Sequence, residues 1–355
     1  MRARERPLAR IHGVRRMSSL ALSLVSGCLE IGGVLMVFRQ GYSLGWALGA
    51  ALAYQCGNAL ATPVEVGLGS YALLVALGAI LLTLLGSLPL PLLVSFFLLS
   101  AGVNGMRKVA STRGFGFSTF WKRTTRIAGF VLGGVLQVPG LQLGAGIALA
   151  AGLALLGRPT RSDFLSLRLS RLRAPKLLGL SMVLHQAHYF AYAYALLLLL
   201  ATRMHGFTPL AGLVFTTGWM SYIFARRILG DATPVRTFLL GHALATSALL
   251  GMFFWRGAIT GYLVLWFATG FGGGTVYCLR AVAGTRFGLH PARLDSYENL
   301  GHILGTAVSL GVAAMTDGTR FAFVAGAILA TCAAALLWLA TRRPSHPDHL
   351  SSSSS

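Results

Sequence analysis

Leu184-His185-Gln186-Ala187-His188-Tyr189-Phe190-Ala191-Tyr192-Ala193-Tyr194 lies inside an apolar run spanning residues 177–204. The run is long enough to cross a bilayer as a helix. Two imidazoles and three phenols at membrane depth are costly unless they find partners. Polar residues so placed usually face a bundle interior or a water-filled cavity. At about 100° per residue, His185, His188 and Tyr192 share one helix face.

Composition extends this reading to the whole chain. Of the 355 residues, 55% are hydrophobic and only 11% charged, with a mean hydropathy of +0.69. A soluble domain carries about 25% charged residues. The net charge of +21 invites comparison with nucleic-acid binders, but the basic residues sit in short clusters between apolar runs. That is the positive-inside pattern of a multi-spanning protein, with the bilayer and not nucleic acid as its partner. Cys28, Cys56, Cys278 and Cys332 are scattered through apolar runs, so neither a disulfide framework nor a structural metal site is expected. The basic N-terminus followed by an apolar stretch resembles a signal peptide. The stretch runs on to residue 38 without a small-residue cleavage pattern, so it reads as a retained span.

Twelve apolar segments follow, at about 17–38, 44–62, 70–88, 91–108, 125–139, 140–157, 177–203, 208–226, 233–255, 258–280, 299–316 and 320–341. The fifth and sixth meet at Pro139-Gly140, which reads as the turn between them. With the N-terminus in the cytosol, 26 of the 30 basic residues fall on the cytosolic side; only Arg39, Arg203, Arg256 and Arg320 do not. The chain also repeats: Ala61-Thr62-Pro63-Val64 and Ala232-Thr233-Pro234-Val235 follow the second and eighth spans. The expected organisation is a cytosolic basic N-terminus (1–16), a six-helix half (17–157), a cytosolic basic linker (158–176), a second six-helix half (177–341) and a cytosolic low-complexity tail (342–355).

Twelve spans in two pseudo-symmetric six-helix halves, joined by a basic loop with both termini inside, resemble the major facilitator superfamily. That family's loop motif is not present at 61–70; Arg226-Arg227-Ile228-Leu229-Gly230-Asp231 is similar to a relic of it. Gly129-Phe130-Val131-Leu132-Gly133-Gly134 is similar to the Gly-rich fifth helix of the family's antiporters, although Pro139-Gly140 lies later than that pattern places it. The resemblance implies an all-α integral membrane fold and a central cavity lined by spans 1, 4, 7 and 10.

Glu30 is the one acid well inside a span. A lone carboxylate starved of water could exchange a proton near neutral pH, which makes Glu30 the candidate for proton coupling. The alternative is a carboxylate that bonds a neighbouring helix and never titrates. On the family's architecture Glu30 and the two histidines would face each other near the midplane. The histidine pair has three readings: it lines a substrate site, titrates as a pH-sensitive element, or satisfies hydrogen bonds between helices. A permanent metal site would need a third ligand from another span. Asn104, Gln55, Tyr192 and Tyr277 complete the candidate substrate-binding set; Gln55, with Asn58, Thr216 and Thr217, can equally serve as interhelical glue. The run of glycines at 270–274, between Trp266 and Tyr277, suggests a bend or close helix approach. At the cytosolic mouth Arg107, Lys108 and Arg280 lie near Asp295, Glu298 and His302, a charge set suited to a gate or simply to a solvated loop.

No ATP-binding loop, DxxxD, HExxH or GxSxG pattern occurs, so a membrane enzyme is disfavoured and no cofactor is expected. A channel lacks the repeated selectivity segment or charge ring it would need. The reading is a monomeric secondary active transporter of the cytoplasmic (inner) membrane, moving a small polar solute by alternating access. Proton-coupled efflux of a metallophore- or siderophore-like metabolite is the expectation on direction and cargo. A proton-coupled importer, a uniporter and a non-transporting sensor of the same fold are the alternatives.

Overall fold

The computed structural model describes residues 2–61, 64–114, 118–136, 138–156, 167–169, 174–205, 208–230, 233–316 and 318–342. Long apolar segments with no water to bond their backbone must close their hydrogen bonds internally, and they do so as helices. In chain order these are α1 (Arg2–Arg39), α2 (Leu44–Leu60), α3 (Leu68–Leu85), α4 (Pro89–Thr112), α5 (Thr119–Val135) and α6 (Val138–Leu156). They continue with α7 (Lys176–Arg203), α8 (Thr208–Leu229), α9 (Pro234–Phe254), α10 (Ile259–Gly274), α11 (Val276–Phe287), α12 (Asp295–Thr316) and α13 (Phe321–Arg342). A short 3-10 turn at Pro291–Leu294 leads into α12. Among the described residues, eight stretches, counting α10 and α11 as one, are long and apolar enough to cross a membrane, in keeping with a multi-pass membrane protein.

Each expected apolar segment falls on a helix; α1 also takes in the expected N-terminal tail, and three further details differ. The tenth span is broken at Thr275, whose hydroxyl donates to the Gly272 carbonyl at 2.6 Å. The turn between α5 and α6 precedes Pro139 instead of sitting on it, because a proline in the first turn of a helix loses no hydrogen bond. The third concerns the repeated tetrapeptide, whose copies fold differently. After Ala61 the chain forms strand β1 (Val64–Val66), paired antiparallel with β2 (Leu167–Leu169), so that Glu65 stands opposite Arg168. In the second copy Thr233 precedes Pro234, which opens α9. Residues 158–166 and 170–173 of the expected linker, Asp231 of the motif relic and the serine tail lie outside the described residues.

The helix contacts recur along the chain. Helix α1 packs on α5 and α6, α2 on α4, and α3 on α4 and α6. Later, α7 packs on α12 and α13, α8 on α10, and α9 on α10 and α13. The two sets meet where α5 packs on α8 and α12 on α2. Both leading helices are seated by glycine pairs spaced four apart. A Cβ on Gly129 would lie 2.2 Å from the Leu24 carbonyl oxygen, and one on Gly133 2.7 Å from that of Cys28. On α12, a Cβ at Gly301 or Gly305 would lie 2.4 Å or 2.3 Å from the carbonyl oxygens of Val183 and Ala187. Such close approach is how membrane helices gain contact without a hydrophobic drive between them.

The four arginines outside the positive-inside pattern share one role. Arg39 donates to the Leu136 carbonyl at 3.0 Å, Arg203 to Gly257 at 2.8 Å, Arg256 to Phe253 at 2.7 Å and Arg320 to Trp255 at 3.1 Å. Leu136, Phe253 and Trp255 lie at the C-terminal ends of α5 and α9, where carbonyls lack helical partners and a cation is favourable.

Candidate solute cavity

At the opposite, basic end of the bundle a space opens between the two helix sets. It comprises a 240 Å³ cavity and a 370 Å³ cavity that share Arg107, Lys122, Arg126, Glu298 and His302. Arg123 adds a cation to the first, and Lys108 and Arg280 add two to the second. Against these six cations the described lining residues include two carboxylates, Asp295 and Glu298. Arg280 holds both, at 2.9 Å and 2.6 Å.

Arg126 reaches a buried acid, and the α1–α5 glycine contact explains its place: Gly27 on α1 abuts the Arg126 carbonyl itself. One turn along α1, Glu30 receives Arg126 Nη2 at 2.5 Å and Nε at 3.2 Å on the same oxygen. Its other oxygen accepts from Tyr194 at 3.2 Å and Gln55 at 3.5 Å. Glu30 is 1% exposed, whereas the Arg126 side chain is 19% exposed and borders the cavity. The expectation of a lone acid is therefore corrected: Glu30 belongs to a charge pair whose cationic partner faces the solute space. Arg126 also lies over the Trp219 ring at 5.5 Å, and Arg123 over Tyr222 at 5.1 Å. Planar guanidiniums on aromatic faces keep their donors free at the edge.

Asn104 lines the larger cavity and is fixed by Ser26, which donates to its Oδ1 at 3.0 Å, and by the Ser100 carbonyl. Arg107 donates to the same Ser26 hydroxyl at 3.1 Å. His302 bonds Gln186 at 3.3 Å and lies tilted against Phe190 with ring centroids 4.3 Å apart. Four buried donor or acceptor atoms along the smaller cavity have no hydrogen-bond partner: Gln186 Nε2, Tyr189 Oη, Trp219 Nε1 and His302 Nδ1.

The other expected substrate residues lie elsewhere. His185, His188 and Tyr192 are fully buried and border neither cavity. The histidines face His242 on α9, while Glu30 bonds Tyr194, half a helical turn around α7 from His185. Glu30 and the histidines thus occupy opposite sides of α7, because helical phase fixes a face but not its neighbour. Gln55 sits behind Glu30 as a hydrogen-bond donor. Tyr277 is turned to the chain exterior, its hydroxyl donating to the Gly230 carbonyl and its ring under Arg226.

Of the expected gate, the Arg280–Asp295–Glu298 cluster lies wholly on α11 and α12. Arg107 and Lys108 line the opposite wall on α4. Closing this mouth would bring those cations toward the acids. The double substitution Asp295→Asn/Glu298→Gln is expected to hold the mouth open, read as faster thiol labelling of Asn58→Cys; unchanged labelling would remove the acids from gating.

Sequence reasoning missed Arg126, Arg123, Lys122 and Trp219, because basic residues near a span end are absorbed by the positive-inside count. It also missed His242, although an imidazole inside an apolar run was signal enough.

No family model matches the sequence, and no curated protein sequence matches it. Solved structures do. The POT family transporter PepTSo is 11% identical with a TM-score of 0.68, over 94% of this chain and 98% of that one. A bacterial homologue of the iron transporter ferroportin, in an inward-facing state, is 13% identical with a TM-score of 0.64, over 95% and 100%. The nucleoside transporter NupG is 12% identical with a TM-score of 0.63, over 94% and 98%. This chain is a multi-pass membrane protein with the fold of major facilitator superfamily transporters.

Proposed function

We propose that the protein is a secondary active transporter of the cytoplasmic membrane for an anionic organic solute bearing a planar group. The observation that carries this reading is the cavity itself: six cations, two carboxylates already held by one of those cations, and aromatic walls with unpartnered polar atoms. Carboxylates or catecholates, the groups by which metal-chelating metabolites bind their ions, match guanidinium forks and indole donors. The recurrent packing of α1–α6 and α7–α13 supports two halves that rock about this site, with twelve spans once α10 and α11 are counted as one.

Glu30 supplies the coupling. Its carboxylate and the solute's anionic group compete for Arg126, so the solute binds best when Glu30 carries a proton. Proton and anion then move in the same direction, which under an inward proton gradient is uptake. The expected efflux rested on an unpaired acid and on the glycine-rich fifth span; Glu30 is paired with Arg126. In the structure those glycines seat α5 against α1.

Binding separates this reading from its rivals. In detergent, aromatic mono- and dicarboxylates are expected to raise the melting temperature, more strongly at acidic pH, while matched amines and neutral analogues do not. Equal shifts from cationic or neutral solutes would overturn the anion assignment. A protein that binds anions but carries no flux would be the sensor.

A further inference from the structure

The buried histidines, outside the solute cavity, form a second centre. His185 and His188 on α7 and His242 on α9 are 0%, 0% and 1% exposed. Their rings make a nearly equilateral triangle, with centroids 5.4, 5.0 and 5.1 Å apart. One nitrogen from each lies within 4.8 Å of the others. Helices α7 and α9 hardly touch each other directly but both pack on α13, and the three imidazoles meet across the space between them.

The hydrogen bonds fix where the protons sit. His188 Nδ1 faces the His185 carbonyl and His242 Nδ1 faces the Phe238 carbonyl at 2.9 Å; carbonyls only accept, so both nitrogens carry hydrogen. In the neutral rings, Nε2 of each is then a lone pair. His242 Nε2 lies 3.0 Å from His185 Nδ1, which must donate to it. That leaves Nε2 of His185 and of His188 as buried lone pairs with no well-formed hydrogen bond among the described residues. Among the described residues no carboxylate pairs with any of the three rings.

We propose that His185, His188 and His242 bind a divalent transition-metal ion of the zinc class. Imidazole nitrogens hold Zn²⁺ at about 2.0–2.1 Å, which places them about 3.3–3.5 Å apart in tetrahedral geometry. Closing the triangle from its present spacing needs shifts of about an ångström. Nδ1–H bonds from His188 and His242 to backbone carbonyls are the outer contacts that orient metal-bound imidazoles. His185 completes the set by moving its proton from Nδ1 to Nε2 and binding through Nδ1. Water fills the fourth position. The ion ties α7 to α9 inside the second helix set and does not travel with the solute.

The test uses the full-length, tag-free protein in detergent, stripped with chelator and titrated with Co²⁺. One saturable equivalent is expected, with the intense visible bands of tetrahedral cobalt, no thiolate charge-transfer band, and displacement by Zn²⁺. His242→Gln and His188→Gln are each expected to weaken binding at least tenfold. Absence of a saturable tetrahedral spectrum in the native protein overturns the proposal, and this reading needs no variant to fold. Retention of the spectrum in both variants overturns it equally.

Discussion

Arg126→Gln is expected to cost about 3–5 kcal/mol of stability, far more than Glu30→Gln, because it strands a buried carboxylate without its counter-charge. The asymmetry follows from exposure. Glu30 is sealed between α1, α2 and α7, with only Tyr194 and Gln55 left to donate to it. Arg126 is 19% exposed and borders a cavity, where solvent can reach it once Glu30 is neutral. The double variant Glu30→Gln/Arg126→Gln should therefore be more stable than Arg126→Gln alone. Thermal denaturation of the three detergent-purified variants measures this. A double variant that melts lower than either single would show that the pair is not the dominant interaction.

Gly305→Leu is expected to abolish the folded protein, and Gly305→Ala to destabilise it by about 1–3 kcal/mol through overpacking. The first added carbon would meet the Ala187 carbonyl at 2.3 Å, and backbone at a helix contact has nowhere to go. Gly311 on the same helix has nothing within 4 Å of a built Cβ. Gly311→Ala should be neutral or stabilising by about 0.5–1 kcal/mol through helix propensity. Fluorescence-detected size exclusion across a heating series reads all three. Equal melting of Gly305→Ala and Gly311→Ala would mean that α7 and α12 are not in backbone contact. Gly129 on α5, set against α1 by the same geometry, should behave as Gly305 does.

The helices were legible because a bilayer leaves few options. About twenty apolar residues must be continuous and must close their own hydrogen bonds, so most span ends fell within a few residues of the helix ends; the starts of α1 and α5 and the end of α11 lie further out, where polar residues prolong the helix. The break at Thr275 was foreshadowed by its glycines, since only small residues let α10 lie against Ser221 and the Gly218 carbonyl of α8. The site was less legible. Glu30 stood out by rarity, but its partner did not: Arg126 was one basic residue among many at a span end. His185 and His188 announced a shared face, whereas the residue completing their triangle comes from another helix, 54 positions on. One-dimensional periodicity reports which face a residue occupies. Which helix covers that face depends on the glycine contacts that set α5 on α1 and α12 on α7, and those become visible only in the packed bundle.

Proton movement driven by a solute gradient in proteoliposomes tests the central claim most directly. An aromatic acid that shifts the melting temperature is applied outside vesicles carrying a pH reporter inside, with the native protein and with Glu30→Gln. The account predicts acidification of the lumen with the native protein, and solute entry without proton movement, or no entry, with Glu30→Gln. Alkalinisation in response to the inward solute gradient would mean exchange instead of co-transport. Proton movement undiminished in Glu30→Gln would contradict coupling through the Glu30–Arg126 pair.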